Sequence, residues 1–96
     1  AAYARKMFGM YGGKEEWVRI ECDNSFAGVM IDRFGKNVSM IRLDDKRFVV
    51  NVEVAVSRQF LAWIISLGEG VTLVGPDNVV EMMNIEIDRL IKQYKK

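Results

Sequence analysis

Few residues in this 96-residue chain are of types that do chemistry, and their spacing restricts what they can do. Cys22 is the single cysteine, so no internal disulfide forms, and that usage fits a reducing compartment. It stands one residue before Asp23-Asn24-Ser25, where a helix N-terminus would activate a thiol. Its place in an alternating run turns it inward instead, the position of a structural core thiol. Asp44 and Asp45 are adjacent carboxylates of the kind used for metal or acid/base work, but no third ligand neighbours them and they read as a hairpin tip. Arg42, Lys46 and Arg47, with Arg58, are the cations that would gather into an anion-binding patch near that hairpin, because guanidinium forks suit phosphate and carboxylate groups. A solvated surface is the plainer reading of the same four. Trp17 and Arg19 are expected on an outward sheet face, which invites comparison with base-stacking sheets. The third strand offers Val49, Asn51 and Glu53 where further aromatics would be needed, so Trp17 and Arg19 read as interface or connector contacts. Arg89, Lys92, Lys95 and Lys96 close the last helix, where cations complement the dipole. Met82 and Met83 read as core fillers.

What is missing excludes more. The chain has no His, which removes imidazole acid/base chemistry, the Ser/His/Asp and Cys/His constellations and most zinc sites. Fourteen Lys and Arg oppose thirteen Asp and Glu for a net charge of +1, so no bulk excess calls for DNA, RNA or an anionic membrane. No catalytic residue, metal or cofactor is expected. With 50% hydrophobic and 28% charged residues, the chain has the balance of one small globular domain. No apolar run approaches the roughly 18 residues of a membrane span, and the first twenty residues lack a signal-peptide core, so the cytoplasm is the expected location.

The elements that must position these residues follow from periodicity. Val18, Ile20 and Cys22 alternate with Trp17, Arg19 and Glu21, a half-buried strand. Asp23-Asn24-Ser25 is a cap cluster ahead of a short helix with Phe26, Val29 and Met30 on one stripe, and Gly35 stops it. Val38 to Leu43 and Arg47 to Val56 form a hairpin around Asp44-Asp45-Lys46. In its second strand Phe48, Val50, Val52, Val54 and Val56 face one way and Val49, Asn51, Glu53 and Ala55 the other. Ser57 caps a second helix bearing Phe60, Leu61, Ile64 and Leu67, ended by Gly68. After the short strand Val71 to Val74, Asn78 and Glu81 resemble a capping box for a third helix, whose seam is Val80, Met83, Ile87, Leu90 and Tyr94. The order β-α-β-β-α-β plus a helix predicts an α+β, ferredoxin-like split βαββαβ sandwich with an additional C-terminal helix. The second sheet face, with Trp17, Arg19, Glu21, Met40, Arg42, Val49, Asn51, Glu53 and Thr72, is left solvated or covered.

The run Ser57-Arg58-Gln59-Phe60-Leu61-Ala62-Trp63, then Gly68, the strand Val71 to Val74 and Pro76, resembles the C-terminal extension (WCX) domain of bacterial WYL-domain transcriptional regulators, a helix-turn-helix family. Ile31-Asp32-Arg33-Phe34-Gly35, the Val50 to Val56 strand and the closing helix with Tyr94 fit the same pattern. The resemblance covers residues 17–96 and implies a C-terminal regulatory and dimerisation domain. It couples effector sensing by a central WYL domain to DNA binding by an N-terminal helix-turn-helix, neither of which is in this sequence. Residues 1–16, with the apolar Tyr3 to Met10, then read as the connector from an upstream WYL domain. The partners implied are a second copy in a homodimer, DNA through the N-terminal domain, and a nucleotide or single-stranded nucleic acid as effector. No membrane partner is implied. The family's effector residues belong to the central domain, so Arg42, Lys46, Arg47 and Arg58 are the cations here that would face such a site.

Two other readings use the same element order. A stand-alone ACT-like module would bind a small molecule such as an amino acid, but Asp23-Asn24-Ser25 lacks the Gly turn usual there. Small acylphosphatases need a Gly-rich loop with an Arg at that place, and the acidic loop excludes their phosphate cradle.

Overall fold

The computed structural model describes residues 15–95. Strand β1 (Glu15–Asp23) buries Val18, Ile20 and Cys22 and turns Trp17, Arg19 and Glu21 the other way. It begins two residues before Trp17, so Glu15 and Glu16 of the expected connector belong to the strand. The rest of that connector, Tyr3 to Met10 included, lies outside the described residues. A single 3-10 turn (Asn24–Phe26) then leads into helix α1 (Ala27–Phe34), which buries Met30 and Phe34. The cap expected from Asp23-Asn24-Ser25 is not made. Asn24 directs its donors elsewhere: its backbone N–H reaches the Lys46 carbonyl at 2.9 Å and its Nδ2 reaches the Asp45 carbonyl at 2.9 Å. The helix stops at Gly35, whose φ of 94° only glycine holds without strain.

Strands β2 (Ser39–Arg42) and β3 (Arg47–Ala55) form the hairpin. In β3, Phe48, Val50, Val52 and Val54 are buried as expected, and Ala55, expected outward, is buried too. In β2 the phase is the reverse of the expectation. Ser39 pairs with Asn51 and Ile41 with Val49, so these two face outward, while Met40 and Arg42 stand opposite Val50 and Phe48 on the core side. The physical reason is that β2 is a four-residue edge strand with mixed polarity, and its register comes from β3 and not from its own pattern.

Ser57 caps helix α2 (Arg58–Ser66), its Oγ accepting from the Phe60 N–H at 3.2 Å. The helix buries Phe60, Leu61 and Ile64, and Gly68, at φ 82°, follows it. Strand β4 (Val71–Gly75) leads to helix α3 (Asp77–Tyr94), with Pro76 at its N-cap. No side chain caps α3. Asn78, expected in a capping box, donates instead from Nδ2 to Glu16 Oε1 at 2.7 Å. The buried face of α3 is Val79, Met83 and Glu86. Ile87 and Tyr94 of the expected seam are exposed, because α3 packs on the core through its first half and leaves the second half uncovered.

The sheet order is β2-β3-β1-β4 with every neighbouring pair antiparallel. It follows that β1 and β2 run parallel with β3 between them, and β3 and β4 run parallel with β1 between them. This is an α+β architecture: one four-stranded antiparallel sheet with three helices contributing to one core. Ile20, Met30, Val50, Val54, Phe60 and Val79 are fully buried there. Burial of each contributes on the order of 1.5–3 kcal/mol. Outside that core the sheet's second face is open.

Two glycines give a pair of opposite expectations. Gly35→Ala forces a Cβ into a positive-φ conformation and should lower unfolding free energy by about 1–3 kcal/mol. Gly28→Ala, inside α1 where an added Cβ meets nothing within 4 Å, should raise it by about 0.5–1 kcal/mol. Urea denaturation of both variants reads the two signs directly.

Candidate functional site

Three regions hold the residues singled out from sequence. The first is the β2–β3 hairpin tip. Asp44 Oδ1 accepts from the backbone N–H groups of Lys46 at 2.8 Å and Arg47 at 2.9 Å, closing the turn. Its Oδ2 accepts from Arg47 Nε at 3.3 Å and Nη2 at 3.1 Å. Arg47 also reaches across to β1, where Nη1 donates to Glu21 Oε1 at 2.5 Å. Arg42 pairs with Asp45 and donates from Nε to the Asp44 carbonyl at 3.3 Å. Lys46 is exposed beside them. Arg42 and Arg47 thus meet the three carboxylates Asp44, Asp45 and Glu21, with Asp23 opposite Arg47 as well, so the two guanidiniums are already engaged by acids. The Lys46 backbone N–H and the Arg47 guanidinium hold the Asp44 carboxyl below its ordinary range.

Arg58 is not part of this group. It opens α2, just beyond the far end of β3 from the hairpin, and nine residues of strand separate the two by roughly 25–30 Å. There it forms the second region. Arg58 Nε lies 3.3 Å from Glu86 Oε1, and Arg89 holds the same oxygen through Nε at 2.8 Å and Nη2 at 2.5 Å. Glu86 is 8% exposed, the one charged residue among the buried ones described. Hydrogen bonding from Arg89 keeps its carboxyl below the ordinary range against the opposing effect of burial, and the charge of Arg58 adds to it. The cluster ties the start of α2 to the middle of α3. It is structural, and periodicity had no means of finding it, since Glu86 reads as a polar position beside the seam.

The third region is the open sheet face. Trp17 is 65% exposed there. Arg19 lies over Gly75, so closely that a Cβ on Gly75 would sit 2.1 Å from its Nη2. Glu21, Asn51, Glu53 and Thr72 share the face, as expected, while Ile41 and Ser39 take the places expected for Met40 and Arg42. Between Trp17, Asn51 and Glu53 on the sheet and the segment from Ile31 to Ser39 runs a cleft of about 740 Å³. Sequence reasoning missed it, because it joins one face of the sheet to the loop after α1, and that juxtaposition is tertiary.

Cys22 takes no part in any of these regions. Its side chain is fully buried, its Sγ donates weakly to the Ile20 carbonyl at 3.7 Å, and burial, helped by Asp23 and Glu21, pushes the thiol up to about 12. Among the described residues no group of three His, Cys, Asp or Glu side chains could hold a metal ion, and no helix is long and apolar enough to cross a membrane.

Two measurements follow. Iodoacetamide at pH 8 should leave Cys22 unlabelled in the native chain and label it fully in urea, since the native thiol stays neutral and enclosed. Asp44 and Glu86 both have lowered values, so their pairings stabilise the fold at neutral pH and lose that contribution as pH falls below about 4, through the lowered values. Glu86→Gln should therefore flatten the acid limb of stability against pH, followed by circular dichroism.

Against known protein families, the family model described as the WCX domain matches residues 14–91. No curated protein matches the chain.

Proposed function

The chain belongs to the WCX domain family, and on that premise we propose that it is the C-terminal regulatory and dimerisation domain of a bacterial WYL-type transcriptional regulator. In this reading the extension domain begins with strand β1 at Glu15, and the residues ahead of it connect it to a central WYL domain. The extension couples effector sensing by that domain to DNA binding by an N-terminal helix-turn-helix. The observation that carries the reading is the family match over residues 14–91.

Other observations support its parts. The strand order β2-β3-β1-β4, antiparallel throughout, supports a ferredoxin-like sandwich with α3 as the added helix. An open sheet face bearing Trp17 and Arg19 supports a docking role, since a face that served only solubility would not present an exposed indole. The second half of α3 exposes Ile87, Ile91 and Tyr94, on the same stripe as Val80. That is an apolar strip of the kind two copies bury in an isologous contact. The effector in this reading is a nucleotide or single-stranded nucleic acid bound mainly by the central domain. The carboxylates already paired with Arg42, Arg47 and Arg58 weigh against direct contact by those three, and leave Lys46 as the better-suited cation. The domain itself works by docking, without catalysis, in the cytoplasm.

The mechanism is then a two-state coupling: the extension packs on its neighbour in one arrangement with effector bound and in another without it. Hydrogen exchange on the intact regulator should show protection of the open face, Trp17 to Glu21 and Val49 to Glu53, changing on effector binding. Identical protection in both states sinks the coupling. An antibody against this chain should also detect in host lysate a polypeptide with room for two further domains. A band at the mass of these 96 residues alone would move the ligand-binding module to first place.

A further inference from the structure

Asn84, Ile87, Ile91 and Tyr94 of α3 step by three, four and three, a single stripe in line with Val80. It lies about 100° round the helix from the buried face of Val79, Met83 and Glu86. Helix α2 meets the opposite flank of α3, with Arg58 and Leu61 beside Met82 and Ile85, and so leaves this stripe uncovered. Ile87, Ile91 and Tyr94 are 40%, 52% and 75% exposed.

Charge borders the stripe along its outer edge. Glu81, Asp88 and Lys95 follow one another at seven-residue intervals, acid at the start and base at the end. Glu81 and Lys95 are both exposed, and neither holds an ion pair with a described residue. Roughly 21 Å of helix separates them, so they cannot pair with each other within one chain.

These features match a second copy in one orientation. A parallel copy sets Glu81 against Glu81 and Lys95 against Lys95, and aligns the two helix dipoles. An antiparallel copy opposes the dipoles and sets Glu81 against the partner's Lys95 at both ends of the contact. In that register Ile87 packs on the partner's Ile91. Asn84, the polar break in the seam, comes level with the partner's Tyr94, whose hydroxyl is a partner for the amide. The two Asp88 carboxylates approach near the axis, each with Lys92 one turn further along its own helix.

We propose that two copies of the chain pack their α3 stripes antiparallel, from Asn84 to Tyr94, about a two-fold axis between Ile87 and Ile91. This rests on the dimerisation part of the reading above and assigns it a surface, an orientation and a register. A seam of about three turns is at the small end for an interface, so this domain alone associates weakly.

The test is sedimentation velocity of the complete 96-residue chain at concentrations up to about 1 mM, where a reversible monomer–dimer equilibrium is expected. Glu81→Lys and Lys95→Glu should each weaken it about tenfold, since the two-fold axis makes every contact twice. The double variant should recover the original association, as should an equal mixture of the two single variants. A parallel pair, by contrast, would leave the single variants unaffected. Ile91→Glu should abolish the dimer by burying a carboxylate in the seam. All three positions are exposed, and an unchanged circular dichroism spectrum verifies that each variant folds. A dimer that survives Ile91→Glu, or a double variant no better than the single ones, would overturn the α3 contact and leave dimerisation to another face. A chain that stays monomeric throughout would overturn self-pairing of this domain, while the size of the polypeptide in host lysate tests the regulator reading separately.

Discussion

The nine-residue ladder between β1 and β3 is the constraint on which the rest of the structure depends. Because it runs in register from Glu15↔Ala55 to Asp23↔Arg47, the alternation of both strands coincides, and Val18, Ile20 and Cys22 meet Val52, Val50 and Phe48 on one face. That face must be covered, and α1, α2 and the first half of α3 cover it. The other face inherits whatever the intervening positions carry. Here they carry Trp17, Arg19, Glu21, Val49, Asn51 and Glu53, a mixed set that needs no helix over it. A one-residue slip of the ladder would exchange the two faces completely.

Charge is used at the corners of this frame. At one end of β3, Asp44 closes the hairpin and Arg47 joins it to Glu21 on β1. At the other, Arg58 and Arg89 converge on Glu86 and join α2 to α3. The exposed pairs at the hairpin contribute little stability one by one. What each cluster does is join two elements: Arg47 ties β3 to β1, and Glu86 ties α2 to α3 through Arg58. The same pairing explains why a chain with fourteen basic residues offers so little anion-binding surface at the places where its arginines are densest.

Much of the fold was legible because its strongest signals are local. The β1 and β3 alternation, the Ser57 cap and the glycines after α1 and α2 each act within a few residues, and each is found where the pattern puts it. β2 was misphased because Val38, Met40, Ile41 and Leu43 allow either phase, and only pairing with Val49 and Val50 decides. Asn24 and Asn78 have the right chemistry for caps, yet their side chains bond to Asp45 and Glu16, more than twenty residues away in sequence. The α3 seam was only half right because periodicity describes a helix and says nothing of how far the body beneath it extends. The candidate cations were read as one group although β3 holds Arg58 away from the hairpin. The cleft beside Trp17 has no sequence signature at all.

Strand β1 lies between β3 and β4 and is the first element of the described fold. A tension applied through Glu15 therefore runs along a strand bonded to β3 over its whole length and to β4 from Arg19 to Cys22, and it loads these ladders in shear, so that many hydrogen bonds resist together. An edge strand would peel one bond at a time. A load entering at Glu15 is thus taken up at the centre of the sheet and not at its edge.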